Sequence, residues 1–81
     1  MRLDSSNRLM INTATKGEAS ADNLTIADTG NCGITLRSGT ASQSNIFFSD
    51  GTAGADQYNG YIAYNQGDRH MVFGAAQTER L

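Results

Sequence analysis

The stretch Gly60-Tyr61-Ile62-Ala63-Tyr64-Asn65-Gln66-Gly67-Asp68-Arg69-His70-Met71-Val72-Phe73 alternates apolar residues with other residues and has turn formers in its middle. The doublets Ile62/Tyr64 and Met71/Phe73 each place two apolar side chains two residues apart, so both side chains of a doublet point to the same side of a strand. Gln66-Gly67-Asp68, between the doublets, favours a turn. The stretch therefore predicts two short strands separated by a turn, each with one narrow apolar face.

The same pattern recurs along the whole chain. Polar or small residues such as Thr25, Thr35 and Ala63 stand between the two members of several doublets and are expected to face the opposite way. The six doublets are Leu9/Ile11, Leu24/Ile26, Ile34/Leu36, Ile46/Phe48, Ile62/Tyr64 and Met71/Phe73.

Turn-forming residues stand between the doublets, as at Asp28-Thr29-Gly30-Asn31 and Asp50-Gly51. Asn59-Gly60 has the composition of a type I′ turn. The segment 16–22 is polar and is interpreted as a connection, and no other segment keeps apolar residues at helical spacing for two turns. We therefore expect an all-β chain with almost no helix.

A chain of 81 residues, 38% of them apolar, has only a thin core of its own. Small chains compensate with disulfides, metals or oligomerisation. Cys32 is the only cysteine and His70 the only histidine, which excludes an intramolecular disulfide and a Cys/His zinc site. The chain contains no proline to protect strand edges. These features predict that the chain associates with other chains.

The formal net charge is -2, and acidic and basic residues are scattered singly. This distribution gives no electrostatic footprint for nucleic acid or for an anionic membrane. No apolar run is long enough for a signal peptide or a transmembrane helix, and a free thiol suits assembly in a reducing cytoplasm. We expect neither nucleic-acid binding nor membrane insertion.

The doublets fall inside longer phrases of the sequence. The chain opens with Met1-Arg2-Leu3-Asp4-Ser5-Ser6-Asn7, and the further phrases are residues 33–39, 45–51, 60–65, 71–73 and 79–81. In content and order these phrases resemble the shaft repeats of bacteriophage tail fibres and tailspikes, of the kind found upstream of a self-cleaving intramolecular chaperone domain. In similar sequences glycine usually stands at the positions of Asn7 and Asn12, and Asn also enters the left-handed region.

The resemblance implies a structural, non-enzymatic module of a virion, assembled in the host cytoplasm and without cofactor or metal. The expected architecture is an elongated homotrimer, a β-prism or triple β-helix, and the alternative is a small monomeric β-sandwich. In similar fibres a Glu-Arg-aliphatic phrase continues directly into Arg-aliphatic-Asp-Ser-Ser, so Leu81 would take the place of Met1 where two periods join. Residues 1–81 would therefore be one period of a longer repeat. The chain would be either a fragment or a small protein joining end to end, with other fibre segments as partners. The twelve doublet residues would form the core between chains.

Two other functions are open at this stage. A receptor- or glycan-binding segment would use Tyr58 and Tyr61, because tyrosine combines a flat apolar ring with a polar tip. An exposed aromatic cluster in the loop 52–59 would favour that function. A polysaccharide-depolymerising fragment would need paired carboxylates in a groove, such as Asp50 with Asp56.

Two further groups receive structural interpretations. Asp68-Arg69-His70 is interpreted as a solvated turn, because no serine or cysteine nucleophile accompanies it. Cys32 is interpreted as a small buried hydrophobe, because no basic cluster would lower its pKa.

Overall fold

A computed structural model describes residues 2–76 and 78–79, and it consists of strands, turns and loops. Within this part the helical segments are two short 3₁₀ turns, Ala19–Ala21 and Gly54–Tyr58. The all-β prediction is therefore confirmed. The strands are β1 (Arg2–Leu3), β2 (Leu9–Ile11), β3 (Leu24–Ile26), β4 (Gln43–Phe48), β5 (Gly60–Asn65), β6 (His70–Ala75) and β7 (Thr78–Glu79).

Contacts divide the chain into two compact units, Met1–Thr35 and Leu36–Leu81. The first unit contains a three-stranded sheet in which β1 is antiparallel to β2 and β2 is parallel to β3. The second unit contains an antiparallel sheet in the order β4-β5-β6-β7. The interpretation of residues 1–81 as one repeat period stays a prediction, and the proposed joint between Leu81 and Met1 lies outside the described residues.

A tight loop joins β1 to β2, and Asp4 organises it. The Asp4 carboxylate accepts hydrogen bonds from the backbone N–H groups of Ser6 (3.0 Å) and Arg8 (2.8 Å), and from Arg8 Nε (2.7 Å). Asn7 has a φ of 64°, so it occupies the left-handed region. Asn12, just after β2, has a φ of 63°. The expectation that Asn7 and Asn12 enter the left-handed region is confirmed by these backbone angles.

Met10, at 1% exposure, is the most buried side chain of the first unit. It lies between the doublet members Leu9 and Ile11, on the opposite face of β2, beside Thr25 of β3. The connection between β2 and β3 crosses this face, because Gly17 N–H donates to Thr25 Oγ1 at 3.0 Å. The first unit therefore buries the face opposite to its apolar doublets.

The strands β5 and β6 form the hairpin that the opening stretch predicts. Asn65 closes its loop: Oδ1 accepts from the backbone N–H of Gly67 (2.9 Å), and its carbonyl accepts from Arg69 N–H (2.8 Å). Arg69 has a φ of 58°. In the register, Ile46 faces Ile62 and Ile62 faces Phe73, so the doublets of β4, β5 and β6 share one face of the sheet.

One of the six doublets is not in a strand. Residues 31–39 form no strand, and Ile34 (65% exposed) and Leu36 lie on either side of the boundary between the units. The prediction of a strand there, with Thr35 on its opposite face, is wrong for the single chain. A doublet forms a strand only where another strand pairs with it, and none pairs with this segment among the described residues.

Two other predictions need correction. Asn59 has a φ of -57° and Gly60 begins β5, so Asn59-Gly60 is not a type I′ turn, which requires positive φ at both residues. The 3₁₀ turn Gly54–Tyr58 reverses the chain instead. Cys32 is exposed rather than buried, because it lies in the strandless segment 31–39, and its Sγ contacts the Ile26 carbonyl at 3.4 Å.

Candidate functional site

Each sheet carries an apolar face that the single chain leaves partly open. We call these the first doublet face (Leu3, Leu9, Ile11, Leu24, Ile26) and the second doublet face (Ile46, Phe48, Ile62, Tyr64, Met71, Phe73). Leu3 and Leu24 are exposed on the first, and Phe48 is 57% exposed on the second. Of the ten large hydrophobic residues that are exposed among those whose burial is described, seven belong to the twelve doublet residues.

The extent of exposed surface agrees with this arrangement. The chain exposes 6243 Å², whereas a compact monomer of its mass exposes about 4,700 Å². Even two separate compact bodies of half that mass would together expose only about 5,700 Å². Among the residues whose burial is described, the buried hydrophobic residues are Met10 and Ala63. The single chain therefore has very little core of its own.

The other face of the second sheet carries an open groove of about 440 Å³. One cross-strand row crosses it: Phe47 faces Tyr61, Tyr61 faces Gly74, and Gly74 faces Glu79. The small Ala63 and the half-buried Val72 line the groove in the next row. Small residues in the middle of a sheet face leave space between larger flanking ones, and this explains the depression.

Three aromatic side chains line the groove. Phe47 contacts Tyr58, with ring centroids 5.8 Å apart and ring planes at 49°, and Tyr61, with centroids 6.5 Å apart and planes at 76°. Tyr58 comes from the 3₁₀ turn, which brings it to the sheet. The rings are tilted against one another, so together they present aromatic faces in different directions. We call Phe47, Tyr58 and Tyr61 the aromatic cluster.

Gly74 determines where the Tyr61 ring lies. A Cβ built on Gly74 would come within 2.8 Å of Tyr61 Cδ1 and still closer to Cε1 and Cζ. One edge of the ring therefore lies directly over the glycine. A cross-strand aromatic over a glycine covers backbone that would otherwise be exposed, and the contact limits the directions available to the ring.

Polar side chains complete the lining. Gln43 and Asn45 project from β4, and Glu79 from β7. All three are exposed, and no side-chain hydrogen bond or ion pair of theirs is present within the part of the chain that the structure describes. The amides offer donors and acceptors, and the carboxylate offers acceptors only. Glu79 is the one charged residue of the described lining.

The structure brings together the two tyrosines that the sequence singled out and adds a residue that the sequence analysis did not. Tyr58 and Tyr61 both line the groove. The loop 52–59 contributes Tyr58 alone to the aromatic cluster, because Phe47 and Tyr61 lie in strands. Phe47 was missed because it stands inside the doublet Ile46/Phe48 and was assigned no role. A signal was available. In the second unit, large apolar residues separate the members of two doublets, at Phe47 and Val72, and Phe47 is the aromatic one.

The other candidate residues form local structure. Asp50 N–H donates to the Asp56 carbonyl at 3.1 Å, and Ser49 Oγ donates to the Gly51 carbonyl, so Asp50 and Asp56 belong to a closed backbone loop. Asp68 and His70 are exposed, with Oδ2 and Nδ1 3.9 Å apart.

No group of three or more His, Cys, Asp or Glu side chains could hold a metal ion among residues 2–76 and 78–79. Over the same ranges, no helix has the length and apolar character to cross a membrane.

An ionic cluster lies in the first unit. Arg8 contacts Asp4 at 2.7 Å and Asp22 at 3.5 Å, and Lys16 contacts Asp22 at 3.5 Å. The hydrogen bond from the Arg8 backbone N–H, and to a smaller extent the Arg8 guanidinium, hold the pKa of Asp4 below its ordinary value of 3.8. These contacts tie the β1–β2 loop to the connection that covers Met10, and they are structural.

Comparisons with protein-family models, curated proteins and solved structures found no match to this chain.

Proposed function

We propose that the chain is a structural, non-enzymatic module of a bacteriophage tail-fibre or tailspike shaft, and that it contributes to host attachment mechanically. In this proposal three copies form an elongated β-prism or triple β-helix, assembled in the host cytoplasm and carried on the virion. The observation that carries the proposal is the open apolar face on each sheet. The family assignment itself comes from the sequence phrases.

The doublet faces support association between copies of the chain. A sheet with one large apolar face needs that face covered, and patches of this kind on a free surface mark interaction sites. The exposed surface of 6243 Å² exceeds even the value of about 5,700 Å² for two separate compact bodies of half the mass. This excess supports association between copies, because association would cover apolar surface that the single chain leaves exposed.

The unpaired doublet Ile34/Leu36 supports the same proposal. It lies in the strandless segment 31–39, with both side chains exposed. An extended apolar segment of this kind can pair with a strand of another chain, which would satisfy its backbone groups and bury its side chains together. In the proposed trimer this segment acquires its strand partner on assembly.

The opening loop gives a physical reason for the family-like phrase. Asp4 holds the loop through Ser6 and Arg8, and Asn7 adopts a positive φ where similar sequences carry glycine. The phrase therefore corresponds to the needs of a tight strand connection. This supports the resemblance, because each of its residue types has a local structural purpose.

The proposal excludes hydrolysis. The enzymatic rival requires two carboxylates across a groove, whereas Asp50 and Asp56 lie in one short loop closed by their own backbone. Neither of them lines the aromatic groove. Reproducible cleavage of a host surface polysaccharide, lost in Asp50→Asn or Asp56→Asn, would contradict the structural function.

The mass of the particle in solution tests the proposal directly. Size-exclusion chromatography with multi-angle light scattering should give three times the chain mass of 8.6 kDa. A second method, native mass spectrometry, distinguishes a trimer from a dimer. A stable, folded monomer at micromolar concentration would contradict the proposal and favour the small monomeric β-sandwich.

A further inference from the structure

We propose that the groove on the second sheet is a binding site for a neutral saccharide, with the aromatic cluster stacking against sugar rings and Gln43, Asn45 and Glu79 hydrogen-bonding to hydroxyl groups. This inference goes beyond a mechanical function. It does not depend on the trimer, because residues of one unit of a single chain line the groove.

The first argument is the kind of surface that the groove offers. A sugar ring has apolar C–H faces and a rim of hydroxyl groups. The aromatic cluster supplies flat apolar surfaces in more than one orientation, and tyrosine rings combine such a surface with a polar tip. The groove volume of about 440 Å³ lies in the range of small-ligand sites, about 300–1,000 Å³.

The second argument is the polar lining. Hydroxyl groups both donate and accept hydrogen bonds, so they match side-chain amides, which do the same, and carboxylates, which accept. Gln43 and Asn45 are two residues apart on β4, so both amides lie on the same face as Phe47. A purely apolar ligand would desolvate these groups without replacing their hydrogen bonds, at a free-energy cost. The lining therefore favours a ligand rich in hydroxyl groups.

The third argument is charge. Glu79 is the one charged residue of the described lining, and no lysine, arginine or histidine of residues 2–76 and 78–79 lines the groove with it. A carboxylate or phosphate on the ligand would meet a like charge that no cation of the described lining compensates, which disfavours binding. Among sugars, neutral ones are therefore expected to bind better than sialic acids or uronic acids.

The position of the groove is compatible with the trimer. The groove and the second doublet face lie on opposite faces of the same sheet. On β4, Asn45 and Phe47 alternate with Ile46 and Phe48, and on β5, Tyr61 alternates with Ile62. If the second doublet face is covered by neighbouring chains, the groove remains accessible.

The full chain should be titrated with lactose, maltose, cellobiose and N,N′-diacetylchitobiose, with 3′-sialyllactose as the charged probe, while NMR follows the side-chain amides of Gln43 and Asn45 and the rings of the aromatic cluster. At least one neutral disaccharide should shift these signals saturably, and 3′-sialyllactose should bind several-fold more weakly. Glu79→Gln should reduce the difference in affinity between the neutral disaccharide and 3′-sialyllactose, because it removes the charge and keeps an acceptor.

Variants locate the site. Tyr58→Ala should weaken binding about tenfold, the scale at which truncated interface aromatics act, whereas Tyr58→Phe should retain most of the affinity because the ring remains. Gln57→Ala is the matched control, since Gln57 belongs to the same 3₁₀ turn and does not line the groove. Asn45→Ala, an exposed position, is a second test that does not depend on the turn folding correctly.

Three outcomes would overturn the proposal. The first is the absence of any shift with all four neutral disaccharides at tens of millimolar. The second is binding that Tyr58→Ala and Asn45→Ala leave unchanged. The third is occupation of the groove by an apolar probe such as p-cresol with no competition from the sugars, which would make it an apolar docking site. None of these outcomes bears on the trimer, which the solution mass tests separately.

Discussion

Phe47 and Phe48 are adjacent on β4 and similarly exposed, at 52% and 57%, yet they lie on opposite faces of the sheet. Phe47 belongs to the aromatic cluster and faces Tyr61, whereas Phe48 belongs to the second doublet face and lies opposite Gly60. Substitutions at these two neighbouring phenylalanines therefore test assembly and saccharide binding separately.

Phe48→Asp should abolish assembly, because it places an unpaired charge in the proposed core between chains. Phe47→Asp introduces the same charge one residue away, on the face that the trimer leaves accessible, and should leave the assembly intact while removing saccharide binding. Light scattering measures the first effect and NMR titration the second. Equal loss of assembly in both variants would show that the facing assignment is wrong, and the reverse pattern would place the groove in the core.

The apparent melting temperature should rise with protein concentration. The single chain has a thin core, so most of its apolar burial is expected to come with association, and folding that is linked to association follows mass action. Circular dichroism melts over a hundredfold range of concentration measure this dependence. Phe48→Asp serves as the control, since a chain that cannot assemble should lose both the dependence and much of its cooperativity. A cooperative transition that is independent of dilution in the unmodified chain would contradict the trimer.

The sequence predicted those features that depend on local geometry. Alternation of side chains along a strand is a local property, so the two members of each doublet in β4, β5 and β6 lie on the same side of their strand as expected. Left-handed backbone is also local, and Asn7 and Asn12 adopt it. The turn 66–68 likewise follows from its own residues.

Features that depend on pairing between distant segments escaped the sequence analysis. Ile34/Leu36 has the pattern of a strand but no strand partner within the described residues. The groove requires the register of four strands, because only pairing places Glu79 in the row of Tyr61 and Phe47. Met10 is buried because a connection crosses the face opposite to the doublets, and the local alternation does not reveal that covering segment.

Asn7→Ala should destabilise the first unit by about 1 kcal/mol, because Asn7 occupies the left-handed region, in which a β-carbon is strained. Asn7→Gly should be neutral or slightly stabilising for the same reason. Urea unfolding followed through the Met10 methyl signal measures both effects. Asn31→Ala is the matched control, since Asn31 is exposed in the same unit and has no positive φ. An equal effect at both positions would mean that backbone conformation is not the cause.

The first unit should lose stability in acid through Asp4. Its pKa is lowered in the folded chain by the hydrogen bond from Arg8 N–H and by the Arg8 guanidinium. A lowered folded pKa means that this contribution is fully present above the ordinary value of 3.8 and is lost as the pH falls through the folded value. Urea unfolding at a series of pH values should show this decline, and Asp4→Asn should remove that part of it. A decline of the same size in Asp4→Asn would assign the effect to other groups.

Gly74→Ala tests whether the position of the Tyr61 ring matters for the groove. The new methyl group would overlap the ring edge, so the Tyr61 side chain must rotate away from β6. Because the ring is the mobile end of its side chain, the sheet should keep its strand register at a cost of about 1–3 kcal/mol, the scale of overpacking. The contact between Tyr61 and Phe47 should weaken, and saccharide affinity should fall with it, while the trimer mass should not change.

Gly39→Ala is the control, since a Cβ there has its nearest neighbour, Ser42 Oγ, at 3.6 Å. Nuclear Overhauser contacts from the Tyr61 ring measure the rotation. A rotated ring with undiminished saccharide affinity would remove Tyr61 from the site, and a ring that keeps its contacts over the new alanine would show that the glycine does not position it.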